Sequence, residues 1–160
     1  DKRRFLHHEL GWNHRFTNLQ AAIGLAQLEK IIYFINKKRK IGETYNHKLI
    51  DSKYFFKPKK LFGRSKNIYW IYGIVLKKNS GKKLSYIMKA LKKMKIETRN
   101  FFWPLHKQPI LLKIGLFKNE RYPVAEYLAN NGFYIPSGLG LNKKNQSRVI
   151  GCINKIFKSK

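Results

Sequence analysis

From residue 17 onward the apolar positions recur every three or four residues, at Leu19, Ile23, Leu28, Ile32, Ile35, Ile41, Tyr45 and Leu49. That spacing keeps them on one side of a 3.6-residue repeat and predicts one long helix over 17–50. Thr17 followed by Gln20 is a capping-box pair, so the helix begins there. Ala21, Ala22, Gly24 and Ala26 keep its first turns thin enough to pack closely on a neighbouring element, which is expected to be missing from this chain. The basic run Lys37-Lys38-Arg39-Lys40 is expected where the helix is exposed.

Beyond it the period changes. Residues 51–66 mix Lys with Pro58 and Gly63 and predict a loop or irregular connection. Over 68–77 the positions alternate, Ile68, Trp70, Tyr72, Ile74 and Leu76 on one face and Tyr69, Ile71 and Val75 on the other, which predicts a strand apolar on both sides and therefore central. Leu84, Ile87, Met88, Leu91 and Met94 then trace an amphipathic helix, and 96–100 a second strand. A Pro-containing segment fills 103–118, and a short helix follows over 122–131, which Gly132 should end in the left-handed conformation. Residues 133–136 read as a third strand and 137–140 as a turn. Asn142 caps a last helix carrying Val149, Ile150, Ile153, Ile156 and Phe157. The elements after residue 68 alternate strand and helix, which predicts an α/β sandwich of about three strands with helices on one face.

A chain of 160 residues can bury one sizeable core. No stretch approaches the roughly 18 apolar residues of a membrane span, and the start lacks the apolar core of a secretory signal, so a cytoplasmic location is the default and no membrane partner is expected. The single Cys152 cannot form an internal disulfide and reads as a small buried hydrophobe. The formal charge of +27 would favour a nucleic-acid partner, but 27 of the 35 basic residues are lysines dispersed over solvent positions such as Lys82 and Lys144. A solvated surface explains them, and nucleic-acid binding is not expected.

Candidate chemistry concentrates in two places. Asn13, His14 and Arg15 offer amide, imidazole and guanidinium donors immediately before the predicted helix, a set suited to an anion. The alternative is that they only tie down the loop. His106, in the turn-like Pro104-Leu105-His106, can bond a sugar hydroxyl or a phosphate, or be satisfied by backbone. Near it, Arg99 suits a carboxylate or diphosphate, or an ion pair with Glu97 or Glu120; Trp103 is a ligand platform or core. His7, His8 and His47 have no carboxylates at metal-ligating spacing, so no metal is expected, and the eight acidic residues pair with no nucleophile.

The run from Gly11 through Thr17-Asn18-Leu19-Gln20-Ala21-Ala22-Ile23-Gly24 to Lys30 resembles the DegT/StrS-type sugar-nucleotide aminotransferases, which use pyridoxal phosphate. The resemblance continues in order through Lys38-Arg39-Lys40-Ile41, Tyr69-Trp70-Ile71-Tyr72-Gly73, Ile96-Glu97-Thr98-Arg99-Asn100, Phe102-Trp103-Pro104-Leu105-His106-Lys107-Gln108-Pro109 and Tyr134-Ile135-Pro136-Ser137-Gly138-Leu139. The Phe102 to Pro109 run is most like the perosamine synthetase branch. The resemblance implies the C-terminal portion of a pyridoxal-phosphate-dependent transferase (aspartate aminotransferase-like) fold. Residues 1–50 would be the end of the large cofactor domain and a connecting helix, and 51–160 a small α/β domain. It implies that Asn13 and Arg15 reach the cofactor phosphate of a neighbouring subunit in a homodimer and that His106 lies near the substrate, and His14, Arg99 and Trp103 are taken with it as candidate substrate contacts. His14 and Phe16 stand where the family more often has Tyr and Met or Leu, which leaves the role of His14 open. It further implies amino transfer, with glutamate as donor, to a nucleotide-linked keto-deoxysugar for cell-surface polysaccharide or O-antigen synthesis. The catalytic lysine lies upstream in such enzymes, and Asp1 stands at the start in place of Met, so a fragment inactive alone and self-associating through residues 19–28 is expected. A sugar dehydratase of the same fold and a small basic binding module are the competing readings.

Overall fold

The structure, a computed structural model, describes residues 4–50 and 53–158. Lys2, Arg3 and the first two residues of the expected 51–66 connection lie outside the described residues.

Helix α1 spans Asn18–Leu28 and starts on the expected capping box: the Gln20 amide N–H donates to Thr17 Oγ1, and the Thr17 N–H to Gln20 Oε1 at 2.9 Å. The single helix predicted over 17–50 is interrupted at Glu29-Lys30, and α2 begins separately at Ile31–Lys48. The reason is visible in burial. No residue of α1 is buried, whereas α2 buries Ile41, Gly42 and Tyr45, so the apolar period runs unbroken across a change from an uncovered face to a covered one. The basic run is also not simply solvated. Lys38 Nζ donates to the Ser137 carbonyl at 2.5 Å and Arg39 Nε to the Asn67 carbonyl at 3.3 Å; burial pulls the Lys38 ammonium below its ordinary value.

The connection expected to be irregular contains two short pieces of sheet. Strand β1 (Phe55–Phe56) pairs antiparallel with β4 (Tyr72–Leu76), and β2 (Leu61–Phe62) forms a hairpin with β3 (Ser65–Lys66). Gly63, at positive φ, takes the first of the two loop positions, where a side chain would be strained. Strand β4 starts four residues later than the alternation suggests. Tyr69 sits at φ 51°, with its N–H donated to Asn67 Oδ1 at 2.7 Å, and this turns the chain before pairing begins, leaving Ile68 and Trp70 exposed.

The main sheet has the order β1-β4-β6-β5, where β5 is Arg99–Asn100 and β6 is Gly132–Ile135, and every neighbouring pair is antiparallel. The three expected strands are present, with β4 and β6 central, and β1 is a short fourth. On one face Tyr72, Ile74, Leu76, Phe133 and Ile135 join the core with α2, α3 (Leu84–Lys93) and α6 (Lys143–Lys158), which brings Val149, Ile150, Ile153, Ile156 and Phe157. Asn142 caps α6 as expected, its Oδ1 accepting from the Asn145 N–H at 2.8 Å. The opposite face carries Phe101 stacked on Tyr134, with ring centres 4.7 Å apart, and the helix α5 (Pro123–Asn131), whose Tyr127 hydroxyl donates to the Leu76 carbonyl. Gly132 does not take a left-handed cap conformation. Its φ is −98° and it opens β6; glycine is required there by space and not by φ, since a Cβ would meet the Phe101 ring and the Leu128 carbonyl at 2.5 and 2.6 Å.

Candidate functional site

The loop between the 102–110 segment and the N-terminus is organised by one side chain. Gln108 is buried; its Nε2 donates to the Phe5 carbonyl at 2.8 Å and the Trp103 carbonyl at 3.3 Å, and its Oε1 accepts from the His7 N–H at 3.0 Å. The Ile110 N–H returns a bond to the His7 carbonyl at 3.1 Å, and Phe5 packs on Phe102 with ring centres 4.5 Å apart. The N-terminal strap is thereby fastened to the segment holding His106 and Trp103, and the chain leads from that anchor to Asn13.

Asn13, His14 and Arg15 lie exposed on the loop entering α1, and among the described residues their side chains make no hydrogen bond or ion pair. They are therefore not spent on tying down the loop. A guanidinium and an amide two residues apart and uncommitted are suited to share the oxygens of one phosphate.

Around His106 the chemistry is more enclosed. A single turn of 3-10 helix at Leu105–Lys107 precedes α4 (Pro109–Lys113) and places the imidazole in the interior, 6% exposed. His106 Nε2 lies 3.3 Å from Glu126 Oε1 on α5, Lys107 Nζ lies 3.0 Å from Glu126 Oε2, and the Tyr122 ring packs on the imidazole at 4.8 Å. The bond from Lys107, and after it that from His106, holds the Glu126 carboxyl below its ordinary value against the opposing effect of desolvation. Trp103 is half-buried and donates its indole N–H to the Lys107 carbonyl at 2.7 Å, which closes the turn. Arg99 is exposed on the edge strand β5, paired neither with Glu97 nor with Glu120; the Glu120 carboxylate instead accepts from the Tyr122 hydroxyl.

The fold thus gathers Trp103 and His106 in one turn and leaves Asn13, His14 and Arg15 as a separate exposed set that shares no hydrogen bond or ion pair with them. Gln108, Lys107 and Glu126 are site neighbours that the sequence pattern does not mark as candidates. Gln108 lies two residues from His106, in the same run of sequence. Glu126 lies on another helix, and nothing local in the sequence pairs it with the imidazole. Among the described residues no group of three or more His, Cys, Asp or Glu side chains comes together in a way that would hold a metal ion. None of the helices among them is long and apolar enough to cross a membrane.

The model of the DegT/DnrJ/EryC1/StrS aminotransferase family matches residues 1–154. The chain belongs to that family. Among its relatives, the GDP-perosamine synthase of Escherichia coli O157:H7 is 31% identical over 159 residues, which are 99% of this chain and 41% of that protein. The chain therefore spans about two fifths of the length of the curated relatives it matches. Among solved structures, the aminotransferase PseC of Helicobacter pylori superposes with a TM-score of 0.78 at 24% identity, over 95% of this chain and 40% of that one. An E. coli GDP-4-keto-6-deoxy-D-mannose-3-dehydratase with bound hydrated pyridoxal phosphate superposes at 0.74 with 23% identity, over 89% and 36%. The fold is the C-terminal portion of this family's transferase fold, and both aminotransferases and a dehydratase share it.

Proposed function

We propose that this chain supplies the C-terminal two fifths of a pyridoxal-phosphate-dependent aminotransferase that moves an amino group from glutamate to a GDP-linked keto-deoxysugar. In this reading the product serves a cell-surface polysaccharide. The observation that carries the reading, within a chain of this family, is the uncommitted donor pair of Asn13 and Arg15 at the entry to a helix that the chain leaves uncovered. These donors fit the phosphate of the cofactor, and the exposure of the loop fits a role toward a neighbouring subunit of a homodimer. When bound, pyridoxal phosphate supplies an electron sink for moving the amine. Residues 1–50 would then close the cofactor domain and 51–160 form the small domain. His106, Trp103, Arg99 and His14 would face the sugar nucleotide, with His106 fixed from behind by Glu126. No lysine of this chain stands in the family's catalytic position, so amino transfer requires the upstream part of the enzyme.

The test uses the complete enzyme carrying this chain, given glutamate and a GDP-linked 4-keto-6-deoxyhexose. Formation of 2-oxoglutarate with an aminated sugar supports the reading, and deoxygenation of the sugar without amination identifies a dehydratase. Arg15→Gln is expected to weaken cofactor binding, read from its visible absorbance, by about tenfold or more through loss of charge-assisted bonds. Unchanged cofactor affinity would remove Arg15 from the phosphate.

A further inference from the structure

We propose that Glu126 is a positioning residue for His106, and that in the neutral imidazole the ring edge it leaves open accepts a hydrogen bond from a ligand hydroxyl and does not hold a phosphate. An ionised carboxylate can only accept, so the Nε2 that lies 3.3 Å from Glu126 Oε1 carries the proton. In the neutral ring that leaves Nδ1 with a bare lone pair. Nδ1 has no hydrogen-bond partner among the described residues, and no side-chain nitrogen or oxygen among them is both buried and unpartnered. Nδ1 therefore reaches solvent although the residue as a whole is 6% exposed.

Such an atom is a bare acceptor within reach of solvent. It pairs with an O–H, whereas a phosphate oxygen would bring a second acceptor against it. The rest of the surroundings keep the ring where it is. Lys107 engages the second oxygen of Glu126 at 3.0 Å, so the carboxylate cannot rotate away from the imidazole without breaking an ion pair. Tyr122 packs on the ring with its hydroxyl turned to Glu120, so among the described residues the titratable groups in shown contact with His106 are Glu126 and Tyr122, with Lys107 and Glu120 bonded to these in turn. The identity of the hydroxyl as that of a sugar rests on the proposed function. The tautomer and the preference against phosphate do not.

The experiment reads the ring-nitrogen chemical shifts of His106 in the full chain by NMR, at a pH high enough for neutral imidazole. The Nε2–H form is expected to exceed the Nδ1–H form by at least about tenfold, the range of a hydrogen bond to a charged group. An even mixture or a dominant Nδ1–H form overturns the proposal. In Glu126→Ala the excess should fall toward the weak preference of free imidazole, and an unchanged ratio overturns it as well. If that variant fails to fold, Glu126→Gln keeps the shape and must still show a smaller excess than the parent, or the proposal fails. Inorganic phosphate, added at constant ionic strength, is expected to leave the His106 titration unmoved. An upward displacement would mean that the open edge binds phosphate. All of these readouts are taken without substrate, so a chain that proved not to serve an aminotransferase would leave them unaffected.

Discussion

Gly42 lies in the middle of α2 because the ring of Tyr69 occupies the place of its side chain: a Cβ there would stand 2.3 Å from the nearest ring carbon. Tyr69 is 1% exposed and hydrogen-bonded through its hydroxyl to Asn46, so it has nowhere to retreat. Gly42→Ala would recover about 1 kcal/mol of helix propensity, but overpacking a rigid ring costs about 1–3 kcal/mol, and the net result is expected to be a lower midpoint of urea unfolding. A higher midpoint would mean that the ring gives way. Glu126 offers a prediction in pH. Its carboxyl is held below the ordinary value of 4.5 in the folded chain by Lys107 and His106, so between the two values the unfolded chain binds more protons. The stability it contributes is present above the ordinary value and lost as pH falls through the lowered one. Glu126→Gln lacks that contribution, and its unfolding midpoint should fall less steeply than the parent's as the pH is lowered below about 4.5. Parallel acid limbs would show that the ion pair forms equally in the unfolded chain.

Among the elements, the strap at residues 5–7 takes its side-chain bonds, among the described residues, from Gln108, whose amide serves the Phe5 and Trp103 carbonyls and the His7 N–H at once. Gln108→Leu keeps the volume and leaves those backbone groups without partners, at about 1–3 kcal/mol for each buried group left unpaired. Amide exchange at His7 and Ile110 should accelerate by tenfold or more, while exchange in β4 stays unchanged. Equal acceleration everywhere would mean global destabilisation. How much of this was legible differs by element and for a reason in each case. Helices α3 and α6 bury one stripe along their whole length, so periodicity finds them. The break between α1 and α2 is invisible to the same test, because the apolar period continues across Glu29-Lys30 while the covering does not. Alternation over 68–77 reports which side chains are apolar but not the left-handed turn at Tyr69, which delays β4 to Tyr72. A candidate site is readable where its residues are contiguous, as in the proposed set of Asn13 to Arg15. It is not where a partner such as Glu126 arrives through tertiary folding.

At the scale of the whole molecule two long-range features oppose each other. Helix α1 and the loop before it expose Trp12, Phe16, Leu19, Ile23, Leu25 and Leu28, the first two more than 80% accessible, and α1 buries none of its residues, an apolar exposure of the kind that favours association. The chain also carries a net +27, which keeps copies apart. Burial of apolar area is little affected by moderate salt, whereas repulsion between charges on separate molecules fades beyond a screening length that shortens from about 30 Å at 0.01 M to about 8 Å at 0.15 M. The balance therefore tips with ionic strength. Sedimentation of the chain should show self-association that strengthens as salt is raised across that range, and Ile23→Asp in α1 should suppress it without changing the fold. The direction separates this surface from a nucleic-acid site, whose affinity would fall steeply over the same salt range. A chain that stays monomeric at every salt concentration would show that the face of α1 is not adhesive, and would leave its cover to a surface other than a second copy of itself.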